Sequence, residues 1–369
     1  MTEVTDSLVA TVAARADEIE TAGRLPADLA RTFAEAGLFR QLVPASLGGG
    51  ESHPRALVES IERVSAADGS AGWCVMIAST TAAMSGWLPA ADAAEVFGDP
   101  LGVWGGAYAP LGRATREGDQ WRLSGTWPWG SGSQNCTWMA GGAVCDDGVF
   151  RLLYVPIADV TIIENWDVVG LRGTGSHDWS VTDALVPVGR SVDLLGGSPV
   201  EPGPLYQFPL FGLLALGIAS VSLGLGAAAL DALAELAGAK TPSLQRRKLA
   251  ERGTVQAEVA RSTAQLRSAR AYVLEAIDEA WTSAVDGHPP TIDQRANLRL
   301  AATHAAHTAV EVVRSAFTLA GGTAVRNDSA LARILRDANV VTQHLMVSPV
   351  TYEPVGRVLL GLPVELLDL

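Results

Sequence analysis

Between residues 202 and 230 the chain reads PGPLYQFPLFGLLALGIASVSLGLGAAAL, without one charged side chain. A run of that length exceeds the roughly 18 apolar residues that raise the question of a membrane span, so its reading decides between a membrane protein and a helix sealed inside a core. Pro204 and Pro209 interrupt it, Gln207, Ser220 and Ser222 place polar atoms in it, and no Lys or Arg flanks it. Basic flanks and unbroken apolarity are what a spanning helix would show. The Ala and Gly texture suits close helix packing instead, which predicts a wholly buried central helix over residues 210–237.

Beyond that helix, Thr241 and Pro242 predict an N-cap with proline at the first position of a second helix reaching about Val285, roughly 65 Å long. Thr291 with Gln294 forms a capping box for a third that runs to Leu319. A fourth is expected from Ser329 to about Met346, and four such helices make an antiparallel bundle. Upstream, between Leu101 and Asp193, the texture changes to short β-branched and aromatic runs separated by Gly, Asp and Pro. Strands are predicted at Gln120–Leu123, Trp138–Val144, Phe150–Val155, Val160–Ile163 and Trp179–Val186, giving an antiparallel sheet or small barrel. The chain opens with helices expected at Val4–Thr21, Pro26–Ala36, His53–Ala67 and Ala71–Leu88, Gly37 ending the second and Ser70 capping the last. Pro89 starts a further short helix. The fold class is therefore mainly α with an inserted β domain: an N-terminal helical domain (1–100), a central antiparallel β domain (101–205) and a C-terminal four-helix bundle (206–369).

Composition narrows the function. The 369 residues carry 40 acidic against 27 basic side chains, a net charge of −13, which excludes a nucleic-acid partner that would need clustered Lys and Arg. Hydrophobic residues make up 48% and mean hydropathy is +0.20, pointing to further burial through oligomerisation. Cys74, Cys136 and Cys145 form no CxxC pair and suit a reducing compartment, and no structural metal site is expected. The acidic N-terminus lacks the features of a secretory leader, so a cytoplasmic location is expected, away from membranes.

The stretch Gly125–Asn135, GTWPWGSGSQN, mixes indoles, glycines and serines in a way no packed core requires. Trp127 and Trp129 offer stacking faces, Gly130 and Gly132 allow close approach, and Ser131 and Ser133 supply short donors, so a flat ligand is expected here, with a tryptophan-rich hairpin as the bland alternative. Gly224-Leu225-Gly226 imitates a dinucleotide fingerprint but lacks the strand that should precede it. Gly130-Ser131-Gly132 misses the nucleophile elbow of a hydrolase. Gly170 to Ser176 is either a wide loop or a nest of N–H groups for an anion. His304, His307 and Glu311 share a helix face, with an exposed ion pair as the plain reading. His344 alone, and the Gly321-Gly322 pair, remain undecided by spacing.

In order, these pieces resemble the acyl-CoA dehydrogenase fold, and more closely its oxygenase branch, the two-component flavin-dependent monooxygenases. The markers are Leu25-Pro26, Ala36 to Phe39, Pro44 before Gly48-Gly49, Asp68-Gly69-Ser70 with Gly72-Trp73, Trp129 to Gly132, Gly170 to Ser176 before Val186-Pro187, Gly321-Gly322, and Arg336-Asp337 with His344. The resemblance implies a flavin-binding set of Trp129, Ser131, Gly132 and Ser133, with Ser131 near flavin N5. It also implies a cross-subunit arginine, Arg246 or Arg247, on the long second helix, and a Gly321-Gly322 turn against a neighbour's flavin, hence a homotetramer. Ser131 and His344 would be catalytic, the latter as acid/base or substrate-orienting group. Trp73, Trp104, Tyr108 and Phe317, with Trp129, would wall a pocket for an aromatic or polycyclic substrate. A separate flavin reductase would supply reduced FMN or FAD, O2 would be the co-substrate, and a C4a-hydroperoxyflavin would transfer one oxygen atom. An acyl-CoA dehydrogenase would instead need a carboxylate base. The position nine residues beyond Arg336 is Leu345, which leaves Glu251 and Glu258 to keep that alternative open. A non-catalytic helical binding or scaffold protein is the other alternative.

Overall fold

The computed structural model describes residues 4–243, 246–365 and 369. Six helices come first: α1 (Asp6–Ala14), α2 (Ala16–Ala22), α3 (Ala27–Glu35), α4 (Pro54–Ala67), α5 (Gly69–Ala82) and α6 (Ala90–Phe97). Seven strands follow: β1 (Trp104–Glu117), β2 (Gln120–Gly130), β3 (Trp138–Cys145), β4 (Phe150–Pro156), β5 (Thr161–Ile163), β6 (His177–Pro187) and β7 (Ser191–Asp193). Then come α7 (Pro204–Gln207), α8 (Leu210–Ala239), α9 (Gly253–Val285), α10 (Ile292–Ala320), α11 (Ala330–Val341) and α12 (Tyr352–Leu359). By packing, the chain forms two compact units: residues 1–57, 73–168 and 172–208, and residues 58–72, 169–171 and 209–369.

In the first unit the strands form one sheet in the order β5-β6-β2-β1-β3-β4-β7. Its neighbours are antiparallel except β1 and β3, which run parallel from Trp104 opposite Trp138, a departure from the wholly antiparallel expectation. Strand β1 had no sequence signal, because Gly105, Gly106, Pro110 and Gly112 dilute its pattern. The glycines serve the core: a Cβ on Gly112, Gly125 or Gly141 would come within 2.5, 2.6 and 2.8 Å of the Trp127 ring. Trp127 is fully buried, stacks on Trp179 at 4.4 Å between centroids, and donates Nε1–H to the Gly142 carbonyl at 2.9 Å. It is therefore a core residue and not the ligand-stacking face the sequence suggested.

The second unit is built around α8. Among the described residues this is the helix long and apolar enough to cross a membrane, and most of that apolar window is buried inside the protein. Gly224 explains how: a Cβ there would lie 2.4 Å from the Glu62 carbonyl on α4, while one on Gly226 would meet Leu266 of α9 at 2.9 Å. The Gly-Leu-Gly pattern is thus a packing device that lets neighbouring backbones approach.

Several helix boundaries differ from expectation: the helix expected at Val4–Thr21 divides at Arg15 into α1 and α2, and the one expected to reach Leu88 ends at Ala82. Asp68, not Ser70, caps α5, its Oδ1 accepting Ala71 N–H at 2.8 Å. Helix α9 starts at Gly253, not after Pro242, because residues 241–243 and 246–248 are not helical and a short 3-10 segment occupies Leu249–Glu251, so it spans about 50 Å. Helix α11 stops at Val341, leaving His344 beyond its end as the cap of a 3-10 turn, Leu345–Val347.

Candidate functional site

In the first unit, β2 ends where Trp129 adopts a left-handed φ of 64° and Gly132 one of 70°. Such a φ is strained for a tryptophan, yet the Trp129 side chain gains no burial from it and stays 70% exposed. The turn is held by Ser131 N–H donating to the Trp129 carbonyl at 2.8 Å, Gly132 N–H to the Thr174 carbonyl at 2.8 Å, and Asn135 Nδ2 to the Leu25 carbonyl at 2.8 Å.

These bonds set the Ser131 hydroxyl into a buried polar chain. Trp73 Nε1–H donates to Ser131 Oγ at 3.0 Å, Ser131 Oγ lies 2.7 Å from Ser176 Oγ, and Ser176 Oγ lies 2.6 Å from Thr174 Oγ1. All four residues are buried. An indole N–H only donates, so one acceptor position of Ser131 is fixed, while the hydroxyl links need one proton each. Three hydroxyl protons serve two links, leaving one for use outside them. In such dry surroundings this chain holds its oxygens firmly and is costly to break.

Beneath the turn, Cys74, Trp104, Ser131, Gly132 and Cys136 line a small cleft. Burial pushes the Cys136 thiol up to about 12. Trp104 lines this cleft, but its ring packs on Phe97 at 5.1 Å and its N–H is used by the Val96 carbonyl at 2.8 Å, so it is more core than wall. Tyr108 is half-buried, and burial raises its phenol above the ordinary range. Ser133 Oγ is buried and has no hydrogen-bond partner among the described residues.

The second unit carries the other candidates. His344 Nδ1 accepts Met346 N–H at 3.2 Å, so a neutral ring carries its proton on Nε2. Burial, and then the charge of Arg299, lower His344 to about 4, so the ring is neutral at physiological pH. Arg246 and Arg247 are exposed in the bend before Lys248 and not on α9, whose first turn lies six residues further on. Gly321 ends α10 at φ 61°, the preceding Ala320 carbonyl accepting Lys240 Nζ at 2.6 Å, and Gly322 has open space around it. Phe317 is half-buried on α10. The Gly170 loop answers its own question in part: Leu171 N–H donates to Asp337 Oδ1 at 2.6 Å, so the anion it cradles there is the protein's own carboxylate.

Sequence reasoning missed Ser176 and Thr174 as partners of Ser131, and Arg299 altogether. The Gly170 to Ser176 loop was visible, but nothing in it marks a hydroxyl that will meet a residue 45 positions earlier.

The chain matches two family descriptions: Acyl-CoA dehydrogenase, N-terminal domain, over residues 1–88, and Acyl-CoA dehydrogenase, C-terminal domain, over residues 216–349. It is 37% identical to an indole-3-acetate monooxygenase of Pseudomonas putida, covering 94% of this chain and 90% of that protein. It is 27% identical to the flavin-dependent monooxygenase oxygenase subunit HsaA of Rhodococcus jostii, over 97% and 98% of the two chains. Among solved structures it is similar to XiaF from Streptomyces in complex with FADH2 and glycerol, with a TM-score of 0.89, 26% identity and coverage of 97% and 94%.

Proposed function

This chain belongs to the flavin-dependent monooxygenases built on the acyl-CoA dehydrogenase fold, and from that premise we propose that it oxygenates an aromatic small molecule of about the size of an indole, at a site centred on Ser131. The residues suit the cofactor. A strained, exposed Trp129 gives a flat face for an isoalloxazine ring, and a Cβ on Gly132 would have Cys74 Sγ no closer than 3.8 Å, leaving room at the turn. Reduced flavin, when bound, supplies the electrons that activate O2 for transfer of one oxygen atom.

The observation that carries this reading is the Trp73–Ser131–Ser176–Thr174 chain. It holds Ser131 Oγ at the end of the tryptophan turn, where the hydroxyl can offer or accept one hydrogen bond at the edge of the bound ring. Holding that proton in place, away from water, favours oxygen transfer to substrate over loss as hydrogen peroxide. His344, neutral at physiological pH, orients the substrate through Nε2–H and does not cycle its charge. In the first unit Trp73, Tyr108 and Trp129 are the proposed aromatic walls; in the second unit Phe317 is proposed as a substrate contact, and Arg246 or Arg247 and the Gly321-Gly322 turn as contacts to a neighbouring subunit's flavin.

A flavin reductase as supplier, a homotetramer and a cytoplasmic location complete the proposal. Its support is the match to an oxygenase subunit and the exposed positions of Gly321, Gly322, Arg246 and Arg247. The test is anaerobic titration with reduced FMN and reduced FAD, followed by a pulse of isotopically heavy oxygen in the presence of indole-3-acetate or another aromatic. Binding of reduced flavin and label in the product is expected. Failure of both reduced flavins to bind refutes the reading.

A further inference from the structure

The second unit buries a positive charge that the fold does not neutralise. Arg299 on α10 is only 6% exposed, and its hydrogen-bond partners are poor ones: NH1 donates to the Met346 thioether at 3.4 Å and NH2 to Thr351 Oγ1 at 3.2 Å. Its Nε has no hydrogen-bond partner, and no carboxylate pairs with it among the described residues. A guanidinium carries five N–H groups in a rigid fork, so at least three point at nothing that accepts well. One helical turn along the same face, Thr303 is fully buried and its Oγ1 also lacks a partner. The third group is His344, which is close enough to feel the Arg299 charge.

An isolated buried cation costs several kcal/mol, and folds keep one where something outside the chain completes it. We infer that Arg299, with Thr303 beside it, is the receptor for a carboxylate on the aromatic substrate. The planar fork matches a carboxylate in bidentate fashion, and the threonine hydroxyl supplies a third donor. His344, a proton donor at Nε2, then sits next to the acid group and fixes the direction in which the ring extends from it. This inference rests on the oxygenase reading above, in which His344 borders the substrate.

Calorimetric titration of the full chain with the indolic acid used above and with its neutral amide tests it without flavin or turnover. The wild type should prefer the acid by about tenfold or more, the size of a charge-assisted hydrogen bond in a dry site. Arg299→Gln should reduce that preference to within about twofold, Arg299→Lys should retain part of it, and the affinity for reduced flavin should stay unchanged in both. Arg299→Met should unfold at the wild-type temperature or above, since it removes a charge that the fold itself does not use. Equal binding of acid and amide by the wild type, binding of neither, or a preference that survives in Arg299→Gln or Arg299→Met overturns the inference. So does a fall of several degrees in Arg299→Met, which would make the charge a structural one. Because reduced-flavin titration is read separately, loss of flavin binding condemns the oxygenase reading, and loss of acid preference alone condemns only this site.

Discussion

Removing the hydroxyl of Ser176 gives the most direct test of the buried chain. Three contacts are at stake: Trp73 to Ser131 at 3.0 Å, Ser131 to Ser176 at 2.7 Å and Ser176 to Thr174 at 2.6 Å. Each is worth about 1 kcal/mol in a buried neutral setting. Ser176→Ala breaks the second and third, and Ser131→Ala the first and second, so each single variant should lose about 2 kcal/mol of stability. The double variant breaks all three and should lose about 3 kcal/mol, because the shared contact counts once. Denaturant unfolding of the four proteins should therefore reveal a coupling of about 1 kcal/mol. Release of hydrogen peroxide relative to product should rise about fivefold in either single variant, the kinetic equivalent of one lost bond. Strict additivity of the two substitutions, with unchanged peroxide release, would show that the hydroxyls do not act as one chain.

Trp129→Gly relieves a left-handed φ and exposes nothing that was buried, so unfolding stability should stay level or rise while reduced-flavin affinity, read by anaerobic titration, falls about tenfold. The His344 group has its folded-state pKa at about 4 against an ordinary 6.5, so its contribution is fully present above pH 6.5 and is lost as pH falls toward 4. That amounts to about 3 kcal/mol, and pH-dependent unfolding should show His344→Gln flattening the slope in this window. His344→Ala should bind reduced flavin and form no product, as product assay beside flavin titration will show. Oxidised flavin on this protein should not bleach with any acyl-CoA thioester in the absence of oxygen, because Leu345, in the position expected of a carboxylate base, is 73% exposed and accepts no proton.

Elements with strong local signals were legible. The apolar helix α8, the Thr291–Gln294 capping box and strands β3, β4 and β6 follow from hydrophobic period and cap chemistry alone. Strand β1 was not, because its glycines answer to the bulk of Trp127 on another strand, a tertiary demand with no local trace. The starts of α5 and α9 and the end of α11 were misplaced for a related reason: Ser70, Pro242 and Met346 have the right local chemistry, and longer-range packing chose other residues. At the site, Ser131 and Trp129 stood out as a combination unlike a core. Trp127, two residues away and identical in kind, would share a face with Trp129 by strand alternation, and only the left-handed φ at Trp129 leaves one inside and one outside. Ser176 and Arg299 look ordinary in sequence and gain their meaning from what they meet, or fail to meet, in space.

The cleft under the Ser131 turn bears on how long such an enzyme lasts. With its thiol held near 12, Cys136 exists as the reactive thiolate in only about one molecule in a hundred thousand at neutral pH, and burial raises Cys145 in the same direction. Oxidation to sulfenic acid proceeds through the thiolate, so hydrogen peroxide escaping from an imperfect turnover meets no ready nucleophile in Cys136. The protein can thus keep this sulfur beside the proposed flavin site as filler, and its wear during catalysis should register elsewhere than on that side chain.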